Sequence, residues 1–314
     1  MPKSKSIKPW YRIAQNGKRV VLQYADSAVV LEGRAATVLL PKLLPLLDGH
    51  HKLYDVEGIA GEKGRPAVRA AIAALEQNHL LADGPIPATD TNLTRTASLV
   101  SAAGASGATL ADVSQRIETA HVLVYGRSGV ATEILRLLRA SGMTRAEPLS
   151  AFDANTATAE LVIAAPSSSE LASLTQLNLW ALSAKQPWLQ VLPFDGLFAA
   201  IGPLFVPWES SCHACYQLRR AANVDYPEEL LALDQGEAQF GQSAALDVTL
   251  AGLTVLNALR WVAAHDAVYA GTMLAFNPAS LDRALTTHHV LRVPRCPACA
   301  VVSRLGAPMP WYEV

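Results

Sequence analysis

The chain has 314 residues, 51% of them hydrophobic and 17% charged, with a mean hydropathy of +0.20. That length suits two domains, each able to bury a core of its own. A formal net charge of −1 argues against a dedicated nucleic-acid binder, which carries a strongly basic balance.

The basic start, MPKSKSIKPW, is not followed by an apolar run with a small-residue cleavage site, so no targeting segment is expected. Residues 181–205 are one of the most apolar stretches. Lys185, Pro187, Gln190, Pro193 and Asp195 interrupt them, which argues against a membrane span. A cytoplasmic protein with no membrane partner is the expectation. Charge is unevenly spread: residues 1–85 hold twelve Lys/Arg against eight Asp/Glu, and the remainder fourteen against nineteen. The mildly basic front suits an acidic peptide partner.

In chain order, residues 10–14 and 20–24 flank Asn16-Gly17, a hairpin signal. Ala28, Val29, Val30 and Leu31 follow as a third strand of a short meander. Residues 35–47 have a helical pattern broken by Pro41 and Pro45 and ended by Gly49. Residues 54–59 give a second helix. A third has Pro66 in its first turn and an apolar stripe of Val68, Ala71, Ile72 and Leu75. Asn78 closes it, and residues 80–82 read as a wing strand, so residues 1–85 are predicted to form a winged helix-turn-helix domain. Residues 86–117, rich in Pro, Thr, Ser, Ala and Gly, are expected to be a linker with at most some local order.

From His121 the pattern alternates. HVLVY is a buried-strand run at residues 121–125, Gly126-Arg127-Ser128-Gly129 is a turn, and residues 130–141 form an amphipathic helix closed by Gly142. Residues 161–165 read as a strand, 171–184 as a helix and 188–192 as a strand. A long apolar helix follows at 246–265, with strand-like pieces at 290–293 and 301–305. Strands alternating with helices predict a mostly parallel α/β sheet over residues 118–314.

All four cysteines lie in CxxC pairs, Cys212/Cys215 and Cys296/Cys299, with 80 residues between the pairs. In a chain read as cytoplasmic, such pairs suggest metal or redox chemistry rather than structural disulfides. Two CxxC turns can close a tetrahedral thiolate site around zinc at about 2.3 Å per bond, leaving no position open for catalysis. The competing reading is two separate redox dithiols. Structural zinc is favoured because a redox CxxC usually sits inside a thioredoxin-like unit. His213, inside the first pair, is expected to be exposed beside the metal. The neighbouring pairs His50-His51 and His288-His289 read as loop residues, since adjacent side chains point apart.

A glycine turn between strand and helix lets backbone amides approach a phosphate at the helix N-terminus. Here only Gly126 and Gly129 remain of such a motif, so closing the strand against the helix is as good a reason for them.

The succession HVLVYGRSGVATEI, LVIAAPSS, LNLWALSAKQPWLQV, IGPLFVPWESSCHACY and CPAC resembles the ThiF/MoeB ubiquitin-activating-like family over roughly residues 118–305. The resemblance implies a Rossmann-like domain in a family whose active members adenylate a carboxylate with ATP. Several features of that chemistry are missing. Asp153 could stand for the ribose acid, but no Asn-Leu-x-Arg follows it. No lysine lies between Lys63 and Lys185, and Pro166-Ser167-Ser168-Ser169 stands where a magnesium-binding aspartate is expected. Cations around a triphosphate are what such chemistry depends on, and Arg127 and Arg136 supply only part of them. The turn Gly126, Arg127, Ser128 and Gly129 therefore reads as vestigial, with ATP not expected to bind productively.

A front winged-helix domain joined to such a domain and a four-cysteine site resembles the leader-peptide-binding partner proteins of YcaO cyclodehydratases, with a PqqD-like recognition element in front. The resemblance implies a non-catalytic protein that captures the leader of a ribosomal precursor peptide and delivers it to a separate YcaO enzyme for azoline formation. A homodimer is also consistent with it. An extended leader can add to an exposed strand edge. Ala28, Val29, Val30 and Leu31 are the candidate edge, Val68, Ile72 and Leu75 candidate pockets, and Arg65 and Arg69 candidate partners for acidic leader residues. Core packing for the three apolar residues and ordinary solvation for the arginines are the alternatives. The competing function is an active peptide-adenylating enzyme of the same family. A DNA-binding regulator is less well supported, because RPAVRAAIAALEQN offers few basic or polar side chains.

Overall fold

Three short strands, β2 (Arg12–Asn16), β3 (Arg19–Tyr24) and β4 (Ser27–Glu32), form an antiparallel meander ordered β2-β3-β4. The Asn16↔Arg19 register leaves Gly17-Lys18 as a two-residue hairpin loop. The computed structural model describes residues 4–86, 91–102, 108–153, 156–227, 229–230, 243–265 and 270–300. It divides into two compact units, Met1–Glu118 and Thr119–Val314.

In the first unit the proline-broken segment forms a π turn at Ala35–Leu39, one α turn, α1 (Leu40–Leu43), and a 3-10 turn at Leu44–Leu46. Pro41 and Pro45 remove donors and prevent a continuous helix. Helix α2 (Leu53–Glu57) precedes α3 (Gly61–Gln77), which begins five residues before Pro66, so that proline lies inside the helix rather than in its first turn. Strand β5 (Leu81–Asp83) pairs antiparallel with β1 (Lys5–Ile7), a strand absent from the sequence reading, instead of flanking the meander.

Val68, Ile72 and Leu75 lie in the first unit's core with Leu22, Leu43, Val56 and Leu80. The sequence reading offered them as pockets for a peptide. Their exposures of 0%, 4% and 0% correct it, because side chains that fill a core present no surface to a ligand.

The expected linker carries two helices, α4 (Asn92–Ala102) and α5 (Leu110–Thr119). Thr109 and Asp112 cap α5 reciprocally: the Thr109 N–H donates to Asp112 Oδ2 and the Asp112 N–H to Thr109 Oγ1. Leu110, Val113 and Ile117 make its buried stripe. Small Ala, Ser and Thr residues had masked that pattern.

The second unit is a mixed sheet ordered β12-β11-β10-β9-β8-β6-β7. Strands β6 (Val122–Tyr125), β7 (Ala146–Leu149), β8 (Leu161–Ala164) and β9 (Trp188–Leu192) are parallel. Antiparallel β10 (Ala199–Phe205), β11 (Thr272–Phe276) and β12 (Leu285–His289) extend the sheet. His288 and His289 thus lie on an edge strand rather than in a loop. The piece expected at 290–293 is not a strand, and the one at 301–305 lies outside the described residues.

Helices α6 (Gly129–Ala140) and α9 (Ala244–Ala264) pack together, with α9 against β10. Helices α7 (Ser173–Ala184) and α8 (His213–Ala221) pack together, and α7 residues and Tyr216 of α8 share a core with Leu123, Tyr125 and Val162 of the sheet. Alternation along β6 and β8 supplies both faces, which explains their uninterrupted apolar runs. Helix α9 is long and apolar enough by composition to cross a membrane, and half of its most apolar stretch is buried inside the protein. Gln186, wholly buried, binds the Ala159 N–H and the carbonyls of Ala159 and Pro187.

Leu75→Ala is expected to cost about 2–5 kcal/mol in urea unfolding, as for any large-to-small core change. Unchanged unfolding combined with lost peptide affinity would instead return Leu75 to a binding pocket.

Candidate metal centre and glycine turn

Helix α8 begins at His213, with Cys212 at its N-cap, so one turn of helix carries Cys215 beside Cys212. Cys296 and Cys299 occupy a second local turn, closed by the Ala300 N–H on the Cys296 carbonyl at 2.9 Å. The four Sγ atoms all lie within 4.8 Å of one another. Cys212 is 3.8 Å from Cys215 and 3.6 Å from Cys296, and Cys215 is 3.5 Å from Cys299. A tetrahedron of sulfurs at about 2.3 Å from a central zinc has edges of about 3.8 Å. The donor set, four sulfurs in buried positions, therefore fits one four-coordinate metal ion with no open position.

The surroundings favour a thiolate at Cys215 and oppose one at Cys212 and Cys299. Cys215 is drawn down to about 4 by the hydrogen bond from Cys212, and the Val293 N–H also donates to it. The same hydrogen bond raises Cys212, with burial adding to it. Burial leads in pushing Cys299 up to about 11. Arg292 fixes the second turn from outside, its Nη1 donating to the Trp208 carbonyl at 3.0 Å and its Nη2 to the Cys299 carbonyl at 2.8 Å. Neither Arg292 nor the Val293 N–H was foreseen, since only the folded chain brings them to the cysteines.

His213 is not exposed beside the metal. It is 3% exposed, within about 6 Å of the rings of Trp188, Phe205 and Tyr216. Its N–H donates to Asn178 Oδ1, its Nδ1 lies 2.6 Å from Gln190 Oε1, and burial lowers its pKa to about 4.

The glycine turn joins β6 to α6. Gly126 has φ +118°, and a Cβ there would meet the Ala165 carbonyl oxygen at 2.1 Å, so only glycine fits. Ser128 caps α6, its Oγ accepting from the Ala131 N–H and donating to the Ala165 carbonyl. The turn thus has a structural duty.

What faces it is acidic. The Arg127 N–H donates to Glu170 Oε2 at 3.0 Å and Arg127 Nε to Glu170 Oε1 at 2.9 Å. Glu170 also completes a capping box with Ser167. Burial pushes the Glu170 carboxyl up, but the Ser167 N–H, the Arg127 side chain, the Ser167 hydroxyl and the Arg127 N–H outweigh it and hold it at about 2. A second carboxylate, Asp247 in the first turn of α9, comes so close to Gly129 that a Cβ there would sit 2.2 Å from Asp247 Oδ2. Burial first, then Glu133, raises the Asp247 pKa. Arg136 is itself paired with Glu133 at 2.8 Å. Among the described residues the turn therefore offers one amide already bound to a carboxylate and a second carboxylate against its other glycine. Glu170 was readable as Ser167-x-x-Glu170, a capping-box spacing. Asp247, about 120 residues downstream of the turn, had no local signal.

In the first unit β4 is an edge of the meander, as predicted for Ala28, Val29, Val30 and Leu31, with Val30 47% exposed. The two arginines differ. Arg69 Nε is paired with Glu57 at 2.8 Å, whereas the Arg65 guanidinium stacks 4.8 Å from the centre of the exposed Tyr54 ring. Arg65 Nε is buried without a hydrogen-bond partner among the described residues.

No known family's sequence profile matches the chain, and no curated protein does. Solved structures do. The heterocyclase TruD superposes with a TM-score of 0.71 at 22% identity, covering 95% of this chain and 43% of that one. A heterocyclase in complex with substrate and cofactor gives 0.71 at 19% identity, over 95% and 40%. E. coli MccB with ATP gives 0.63 at 13% identity, over 94% of this chain and 99% of that one. These likenesses establish the mixed α/β fold. The chain spans about two fifths of the length of the two heterocyclases.

Two outcomes follow. Elemental analysis of the purified chain should find one zinc per chain, and Cys299→Ser should lose most of it along with thermal stability; a full-length protein with reactive dithiols and no metal would favour the redox reading. For Glu170, a carboxyl depressed from 4.5 to about 2 stabilises the fold fully above about pH 4.5 and loses that contribution as pH falls towards 2. Glu170→Gln should flatten the stability profile within that window, as followed by acid titration of circular dichroism.

Proposed function

We propose that this chain is a non-catalytic leader-peptide-binding protein that delivers a ribosomal precursor peptide to a YcaO cyclodehydratase for azoline formation. The observation that carries the non-catalytic part is the Glu170 carboxylate on the Arg127 amide, where a phosphate would otherwise take the N–H at the start of α6. Adding a triphosphate there sets like charges together, with Asp247 close behind. The heterocyclase likeness supports the pathway, since this chain corresponds to a part of those proteins and leaves a larger share of them unmatched.

Leader capture is assigned to the first unit, read as a PqqD-like winged helix. The leader adds along β4 at Ala28, Val29, Val30 and Leu31, its backbone completing the open edge. Arg65, lifted onto Tyr54, meets an acidic leader side chain, and Arg69 contributes less because Glu57 already neutralises it. The four cysteines hold zinc structurally, joining α8 to residues 296–299. A homodimer belongs to the same reading.

A second reading, a peptide-adenylating enzyme, is favoured by the chain's match to 99% of MccB, crystallised with ATP.

Mixing the full chain with ATP, magnesium and a candidate precursor peptide from neighbouring genes separates them. Leader-dependent binding without pyrophosphate release is expected, and Arg65→Ala should weaken that binding roughly tenfold, as for a charge-assisted contact. Peptide-dependent pyrophosphate release would sink the delivery role and restore adenylation.

A further inference from the structure

A cavity of about 1360 Å³ opens in the second unit between α8, the end of β9 and the edge strand β12. Pockets for small ligands run to about 1,000 Å³. This one exceeds that range and is the size of an extended chain segment. Most of its wall is apolar, with Leu192, Phe198, Tyr226 and Met273 among the lining side chains.

Three observations say what it would accept. The first is His213, which lines the cavity. Gln190 donates its amide N–H to the Gly202 carbonyl, which turns its Oε1 towards His213 Nδ1 and places the imidazole proton there. Nε2 then carries a lone pair, and it is buried with no hydrogen-bond partner among the described residues. A buried acceptor left unpaired is costly, so a ligand donor reaching it is favoured. The second is charge: among the described residues Arg219 and Arg220 line the cavity with one carboxylate, Asp195, whose Oδ1 accepts from the N–H groups of Leu197 and Phe198, while Arg219 donates to the neutral carbonyls of Leu291 and Arg292 and so keeps its charge. The third is β12, which among the described residues pairs only with β11 and leaves the other side of its backbone for a further strand.

We infer that this cavity is a second peptide subsite, taking a neutral-to-acidic extended segment downstream of the leader, with a hydroxyl, thiol or amide donor of that segment on His213 Nε2. This rests on the peptide-binding role proposed above and extends it to the second unit. Two-point capture would hold the precursor by its leader while its following segment is kept extended, and the linked sites would raise the affinity of the whole peptide above that of its leader.

The test uses the full chain with a full-length precursor peptide carrying benzoylphenylalanine at successive positions after the leader. Photocrosslinks to residues 192–198, 216–226 or 285–289 are expected. The Nε2 resonance of His213 in ¹⁵N-histidine-labelled protein should shift with the whole peptide but not with the leader alone. Tyr226→Ala, half-exposed at the cavity, should weaken whole-peptide binding several-fold and leave leader binding unchanged. Leader binding with crosslinks confined to residues 1–118, or an unmoved His213 resonance, overturns the subsite and leaves the delivery role standing. Failure of the leader itself to bind overturns both.

Discussion

The convergence of four thiols is the constraint on which the second unit's architecture depends. Cys212 and Cys215 sit where α8 starts, while Cys296 and Cys299 follow the last strand of the sheet. Bringing their sulfurs to 3.5–3.8 Å ties the entry of α8 to the far end of the antiparallel extension β10-β11-β12. Four thiols packed this closely repel one another once ionised, and a divalent cation held among them would offset that repulsion. The carbonyl contacts of Arg292 then fix the cysteine turn from the protein side.

The glycine turn has structural duties of its own, whatever it binds. Gly126 and Ser128 still have work to do: the backbone passes close to Ala165, and α6 needs a cap. Those duties alone account for a glycine at 126 and a serine at 128. Glu170 takes the Arg127 amide, and Asp247 lies against Gly129. One side chain, Glu170, serves as capping residue, partner of Arg127 and internal anion at once.

Much of the second unit was legible because its signals are local. HVLVY, LVIA and WLQVL are apolar runs buried on both faces, and the alternation of such runs with helices fixed the α/β class. The first unit was harder. The stripe Val68, Ile72 and Leu75 marks α3 correctly, but periodicity says only that one face is apolar, and that face proved to be core. Residues 86–117 misled for the opposite reason: Ala, Ser and Thr dilute a helical pattern until it resembles a linker, although α5 has a capping box and a buried Leu110-Val113-Ile117 stripe.

By itself the sequence determined the two CxxC pairs as one candidate metal site, three of the four parallel strands (β6, β8 and β9, but not β7) with helices α6, α7 and α9, the degenerate glycine turn, and β4 as an edge. Each depends on spacing within a few residues or on a residue type with a single strong chemistry. Tertiary structure alone decided that β10, β11 and β12 extend the sheet antiparallel and that β5 pairs with β1. It also decided that His213 is buried beneath aromatic rings with one nitrogen unpartnered among the described residues, and that Asp247 lies against Gly129. Those contacts join residues far apart in the chain, and no local propensity encodes which distant side chain arrives at a given face.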